Sequence, residues 1–160
     1  MMDKLSYIIA YILKNYPYKR DLCNARVTKI IYLADWKSAL VYNKQISDIK
    51  WYFDNYGPFV HDVENTIEKN SSVFEEKKET NAYGMYKKVF SIKKDIVIEI
   101  LTNEEMKLID QIINLVKGLN WDDFIKLVYS TYPILTSERY THLDLVEKAK
   151  EKIRVASKKG

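Results

Sequence analysis

Few side chains in this sequence have the type and spacing that chemistry needs. Lys29 and Asp35 stand out because they interrupt an otherwise apolar run, Ile30 to Trp36 and its flanks. Six residues apart on one helix, they sit ~120° around the axis and ~9 Å along it, so each needs a partner elsewhere. One reading makes them a polar pair in apolar surroundings, forming a binding pocket or a shifted acid–base couple. The other lays the Lys29 stem over Trp36 to reach water and gives the Asp35 oxygens to donors from a loop or a tyrosine. His61-Asp62 and His142-x-Asp144 offer residue types used as metal ligands or general bases. Two histidines in separate segments, with one cysteine and no Glu-x-x-His spacing, do not define a metal site. Cys23 has Arg20 and Arg26 nearby but no histidine to serve as its base. There is no nucleophile elbow and no glycine-rich phosphate loop. The expectation is no catalytic residue, no metal, no cofactor and no enzyme. A hydrolase built on Lys29, Asp35 and His61 would require those three to converge.

The elements that must position these residues emerge from periodicity. Residues 24–42 read as a helix with Val27, Ile30, Ile31, Ala34 and Val41 on one side and Tyr32, Leu33, Trp36, Ala39 and Leu40 on the other. Apolar on both sides, it should run through the middle of the domain, with Asp21 or Asn24 as its cap. Residues 49–54 alternate, burying Ile49, Trp51 and Phe53 as a half-covered strand. Tyr56-Gly57-Pro58 closes that strand and, with Pro58 at a first helical position, opens the next helix. A first helix from Asp3 to Tyr16 has a narrow stripe that suggests an outer position, and Pro17 stops it. Residues 85–92 and 96–101 read as a hairpin around Lys93-Lys94-Asp95, with 73–78 a weaker strand. Thr102-x-x-Glu105 is a capping box ahead of Met106, Ile109, Ile112, Ile113 and Val116. Asn120 caps a helix that turns Trp121, Phe124, Ile125 and Val128 inward. The fold class is α+β, mostly helical, with five or six helices around the buried 24–42 helix and a small antiparallel sheet (strands near 49–54, 85–92 and 96–101).

The 160 residues form one domain, 1–160, in which 143–160 is a loosely docked basic helix. The net charge of +4 comes from this end, where six lysines and arginines face two glutamates in 147–160. Such an end can attract phosphate or simply complement its own helix dipole. Tyr52 and Tyr56, with Trp51, Phe53 and Lys50, could form a base-stacking platform or a protein-binding patch. The longest apolar run, Tyr7–Leu13, is too short for a membrane helix, so a cytoplasmic protein is expected.

The order Lys29-Ile30-Ile31-Tyr32-Leu33-Ala34-Asp35, an aromatic strand, then Tyr56-Gly57-Pro58 with Val60 beyond it resembles the Panacea domain, also called SocA-like. Its members are small bacterial and phage proteins. The resemblance spans residues 5–135 and is strongest over 26–63. Tyr129 stands where the family usually has histidine, and Ile134 where it has tryptophan. The resemblance implies an antitoxin: a protein-binding module that silences a cognate toxin encoded by the adjacent gene and, in SocA-like cases, delivers it to a protease. Lys29, Tyr32, Asp35, Tyr52, Tyr56, Gly57 and Pro58 become the partner-binding candidates. A nucleic-acid-binding regulator of phage or mobile-element origin, using the basic tail and exposed tyrosines, is the alternative.

Overall fold

The computed structural model describes residues 2–80 and 83–159. In chain order these form α1 (Lys4–Asn15), a 3-10 turn (Lys19–Asp21), α2 (Asn24–Tyr42), β1 (Trp51–Asp54), β2 (Gly57–Pro58) and α3 (Asp62–Lys69). Next come β3 (Phe74–Thr80), β4 (Tyr86–Ile92), α4 (Asn103–Val116), α5 (Trp121–Tyr129), α6 (Tyr132–Leu135), β5 (His142–Leu143) and α7 (Leu145–Lys159). The fold is α+β and mostly helical, with seven α-helices among the described residues.

The α2 helix is the axis, as its two apolar sides require. Val27, Ile30, Ile31 and Ala34 are buried on one side and Tyr32, Leu33, Trp36 and Ala39 on the other, against α1, α3, α4, α7 and β4. Each such side chain contributes about 1.5–3 kcal/mol by leaving water. Its last turn emerges, leaving Val41 and Tyr42 exposed before Asn43 ends it in the left-handed region, φ 58°. Neither Asp21 nor Asn24 caps it. Cys23 is the N-cap without a side-chain bond, and Asn24, already helical, instead accepts from the Thr28 hydroxyl.

Other expectations needed revision. The first helix is not an outer one: α1 buries Ser6 to Ala10, Ile12 and Leu13, because α3 and α4 cover it as well as α2. Asn70 donates to Ser6 Oγ, and Tyr11 donates to Asp110 at 2.7 Å. Residues 96–101 are not a strand. Ile96 and Ile98 pack on the core while Val97 is exposed, so the two-residue alternation is real, but this extended segment has no ladder partner and Ile100 takes a positive φ of 74°. The weaker candidate at 73–78 is the true hairpin partner: β3 pairs antiparallel with β4 from Phe74↔Ile92 to Thr80↔Tyr86. Tyr56-Gly57-Pro58 does not open a helix either. Gly57 and Pro58 form β2, paired with Asp54 and Phe53, and α3 begins only at Asp62. Pro58 is tolerated there because β2 is an edge strand. The strands accordingly form two separate sheets, β2-β1-β5 and β3-β4. Trp121 is exposed rather than inward, whereas Phe124 and Val128 are buried. In α7, Leu145 and Ala149 are buried against the body and Ile153 and Val155 are exposed.

Asp35 ties α2 to the segment 45–51. Its Oδ1 accepts the backbone N–H groups of Ile46 and Ser47, both at 2.9 Å. Its Oδ2 accepts the Ser47 hydroxyl at 2.5 Å, Trp51 Nε1 at 2.9 Å and, at 3.4 Å, Gln45 Nε2. Burial pushes this carboxyl up to about 6, against the pull of the Ser47, Trp51 and Ile46 donors. The cage around it is made only of donors, which favour its ionised form. Asp35→Asn would set an NH2 group against those donors, and Asp35→Ala would orphan them. Either should cost about 3 kcal/mol, read as a lower urea midpoint. An unchanged midpoint would show that the cage is dispensable.

Candidate partner-binding site

Where α2 passes beneath the β1–β2 hairpin, Lys29 lines a pocket of about 200 Å³ together with Ala25, Asp54, Asn55, Tyr56 and Phe59. Lys29 is only 2% exposed. Its ammonium lies 5.8 Å from the centre of the Phe59 ring. It forms no hydrogen bond and no ion pair with any described residue. Burial lowers its pKa from 10.5 to about 8, while the Cys23 sulfur and the Asp54 carboxylate, the latter beyond ion-pair distance, resist that fall.

The hairpin above it is a tight one. Phe53 pairs with Pro58 and Asp54 with Gly57, leaving Asn55-Tyr56 as the loop. Gly57 takes φ +99°, and a Cβ there would meet the Tyr129 ring at 3.3 Å. The backbone angle favours glycine, and a Cβ would also press on the Tyr129 ring. Tyr129 thus backs the turn, and its ring also meets Phe53 edge-on at 6.2 Å. From the other side, Tyr140 donates its hydroxyl to Asn55 Oδ1 and Arg139 lies over Phe53. The Asp54 side chain accepts the Asn55 N–H within the same turn. Tyr56 is left 81% exposed.

Of the residues singled out from the sequence, Lys29 and Tyr56 line the pocket and Gly57 and Pro58 shape its hairpin. Tyr52 is half-buried on β1, its ring edge-on to His142 at 5.2 Å. Tyr32 and Asp35 lie beneath, fully buried. Tyr32 shares a 2.8 Å hydrogen bond with the Thr131 hydroxyl and meets Trp51 edge-on, and burial raises its pKa. They support the face and cannot themselves touch a partner. His61 is exposed and meets Phe59 edge-on at 5.4 Å, and neither it nor Asp35 lines the pocket, so a Lys29–Asp35–His61 constellation does not assemble there. No group of three or more His, Cys, Asp or Glu among the described residues is placed to hold a metal ion.

Sequence reasoning missed Asp54, Asn55, Phe59 and Tyr129. The Asp-Asn-Tyr-Gly run after an alternating strand was a legible hairpin signal. Phe59 registers in the sequence only as an insertion before Val60, and nothing local marks Tyr129. Also missed was Arg26, buried with Nε and Nη1 unpartnered and its guanidinium over Trp121 and Phe124 at 5.3 and 5.0 Å.

The family model described as "Antitoxin SocA-like, Panacea domain" matches residues 27–133, from the first turn of α2 to α6. The chain belongs to that family. Among curated proteins and solved structures, nothing matches the chain. The match includes all of the pocket except Ala25, and leaves α1, β5 and α7 outside it. Membership in the Panacea family supports an antitoxin-type, non-catalytic protein. No helix among the described residues is long and apolar enough to cross a membrane.

The Lys29 environment has a direct consequence for this Panacea domain. Between pH 8 and 10.5 the unfolded chain binds the lysine proton more tightly than the folded one, so the contribution of Lys29 to stability increases with pH. Lys29→Met should therefore be the more stable protein at pH 7, by about 1–3 kcal/mol, and its advantage should shrink as the pH rises from 8 and vanish only above 10.5. Urea unfolding of both proteins across that range checks this. A gap independent of pH would mean that the ammonium is not desolvated.

Proposed function

We propose that this Panacea domain is an antitoxin that neutralises a cognate toxin by direct, stoichiometric binding, with the Lys29 pocket and the hairpin above it as the contact face. The toxin is expected to be the product of the adjacent gene, and delivery of the bound toxin to a protease is a further step open to some family members. Family membership supports the role, and the single geometric observation that carries the choice of face is the hairpin itself. An exposed tyrosine stands at the mouth of a pocket holding a buried, unpaired lysine, and the hairpin is braced by Tyr129, Tyr140 and Arg139. A rigid aromatic beside a preformed pocket is the kind of anchor that concentrates binding energy in protein interfaces.

Co-expression with the product of the adjacent reading frame should restore growth, and the two proteins should co-purify. Tyr56→Ala removes an exposed side chain, so the melting temperature should not change, while affinity for the toxin should fall about tenfold or more. Absence of binding by the wild-type protein would refute the role. Undiminished binding by Tyr56→Ala would refute the face. If toxin levels fall in cells only when the antitoxin and an active protease are both present, delivery for degradation accompanies masking.

A further inference from the structure

The two ionisable residues of α2 are treated very differently by the fold. Asp35 is saturated with donors from its own chain, whereas Lys29, buried almost as deeply, has no hydrogen bond and is met by the Phe59 ring and, electrostatically, by the Cys23 sulfur and Asp54. An ammonium has three N–H groups to place, and a buried cation without an anion is costly to keep. Nothing in the fold requires it, since a methionine of similar length would fill the same space. The pocket that Lys29 lines gives its N–H groups a place to find an acceptor. The surroundings favour a negative one. Ala25, in the first turn of α2, forms part of the wall, so the positive end of the helix dipole faces the cavity. The Cys23 N-cap supplies no side-chain acceptor there. Arg26, on the same turn, is a second buried cation with no carboxylate in ion-pair range. Against this stand the Cys23 sulfur, which acts on Lys29 electrostatically, and Asp54, which lines the pocket but whose Oδ1 accepts the Asn55 N–H within its own turn. The cavity has room for one side chain, and its walls at Tyr56 and Phe59 are aromatic.

We infer that the Lys29 pocket receives one carboxylate from the bound protein, an aspartate or glutamate side chain that pairs with the Lys29 ammonium between Asn55 and the first turn of α2. This rests on the reading that the chain binds a protein. A buried charge-assisted pair of this kind gives specificity, because a partner lacking the acid would leave the ammonium desolvated and unpaired.

Two measurements separate this inference from the proposed function. In the first, the full chain carrying 13C-labelled lysine is titrated with sodium acetate at constant ionic strength, with chloride and phosphate as controls, and the Lys29 Cε resonance is followed by NMR. A saturable shift with acetate that exceeds both controls, together with a rise in the Lys29 titration midpoint, supports a carboxylate site. No saturable shift overturns it, and an equal or larger response to phosphate assigns the pocket to another class of anion and overturns it too. In the second, the affinity of the adjacent-frame product is compared for wild type, Lys29→Met and Lys29→Arg. Lys29→Met should bind at least tenfold more weakly while melting no lower than wild type, and Lys29→Arg should recover part of the loss. Equal binding by all three overturns the inference. If the adjacent-frame product does not bind even the wild-type protein, the antitoxin reading fails, and the acetate titration still decides the pocket.

Discussion

A single buried carboxylate governs the path of the first half of the chain. After α2 ends at Tyr42 the polypeptide must reverse and return along the helix as β1, and residues 45–51 do so by delivering donors to Asp35. Two backbone amides, a hydroxyl and an indole N–H converge on it, so the reversal has one geometry. Trp51 is drawn onto α2 by that same bond and stacks edge-on to Tyr32. Once Trp51 is placed, the register of β1 is set, and with it the height at which Asp54, Asn55 and Tyr56 stand above Lys29. The face proposed for binding is positioned by an acid that never reaches the surface.

This arrangement explains why two charges tolerated in one apolar helix have opposite energetic characters. The ionised form of Asp35 is opposed by burial and held by hydrogen bonds within the fold. Lys29 is opposed by burial and held by the Cys23 sulfur, a carboxylate beyond ion-pair distance and the Phe59 ring, with no hydrogen bond. Stability alone would select against such a lysine, whereas a requirement to meet something outside the chain would retain it. Arg26, stacked on Trp121 and Phe124 with two of its nitrogens unpartnered, shows the same pattern one turn earlier.

The parts of the fold legible in the sequence are those governed by local periodicity. Two-sided apolarity located α2 and its burial, the Thr102–Glu105 capping box located α4, and the Asn120 cap located α5. Failures came where an equal pattern has two physical causes. Ile96 and Ile98 alternate with Val97 because an extended segment lies half-buried on α1 and α4, and alternation reports burial, not pairing. Pro58 suits both a first helical turn and an edge strand, and the hydrogen bond from Phe59 N–H to the Tyr52 carbonyl decides for the strand. The pocket was half legible: Lys29 and Tyr56 stood out by type, but Phe59 and Tyr129 reach the site through tertiary contacts that no spacing encodes. The buried roles of Tyr32 and Asp35, motif residues both, show that a family signature mixes support with surface.

The β2-β1-β5 sheet has one more implication. β1 is hydrogen-bonded along both of its margins, by β2 on one and by the Thr141–Leu143 segment on the other. The outer margin at β2 is two residues long and includes a proline, which has no N–H to offer. A visiting chain therefore finds little at the β2 margin on which to add a strand. The face presents side chains alone to the outside world, and those at the tip, Asn55 and Tyr56, lie in a loop whose backbone is fixed by other residues. Single substitutions there can change what the tip presents while the framework stays as it is.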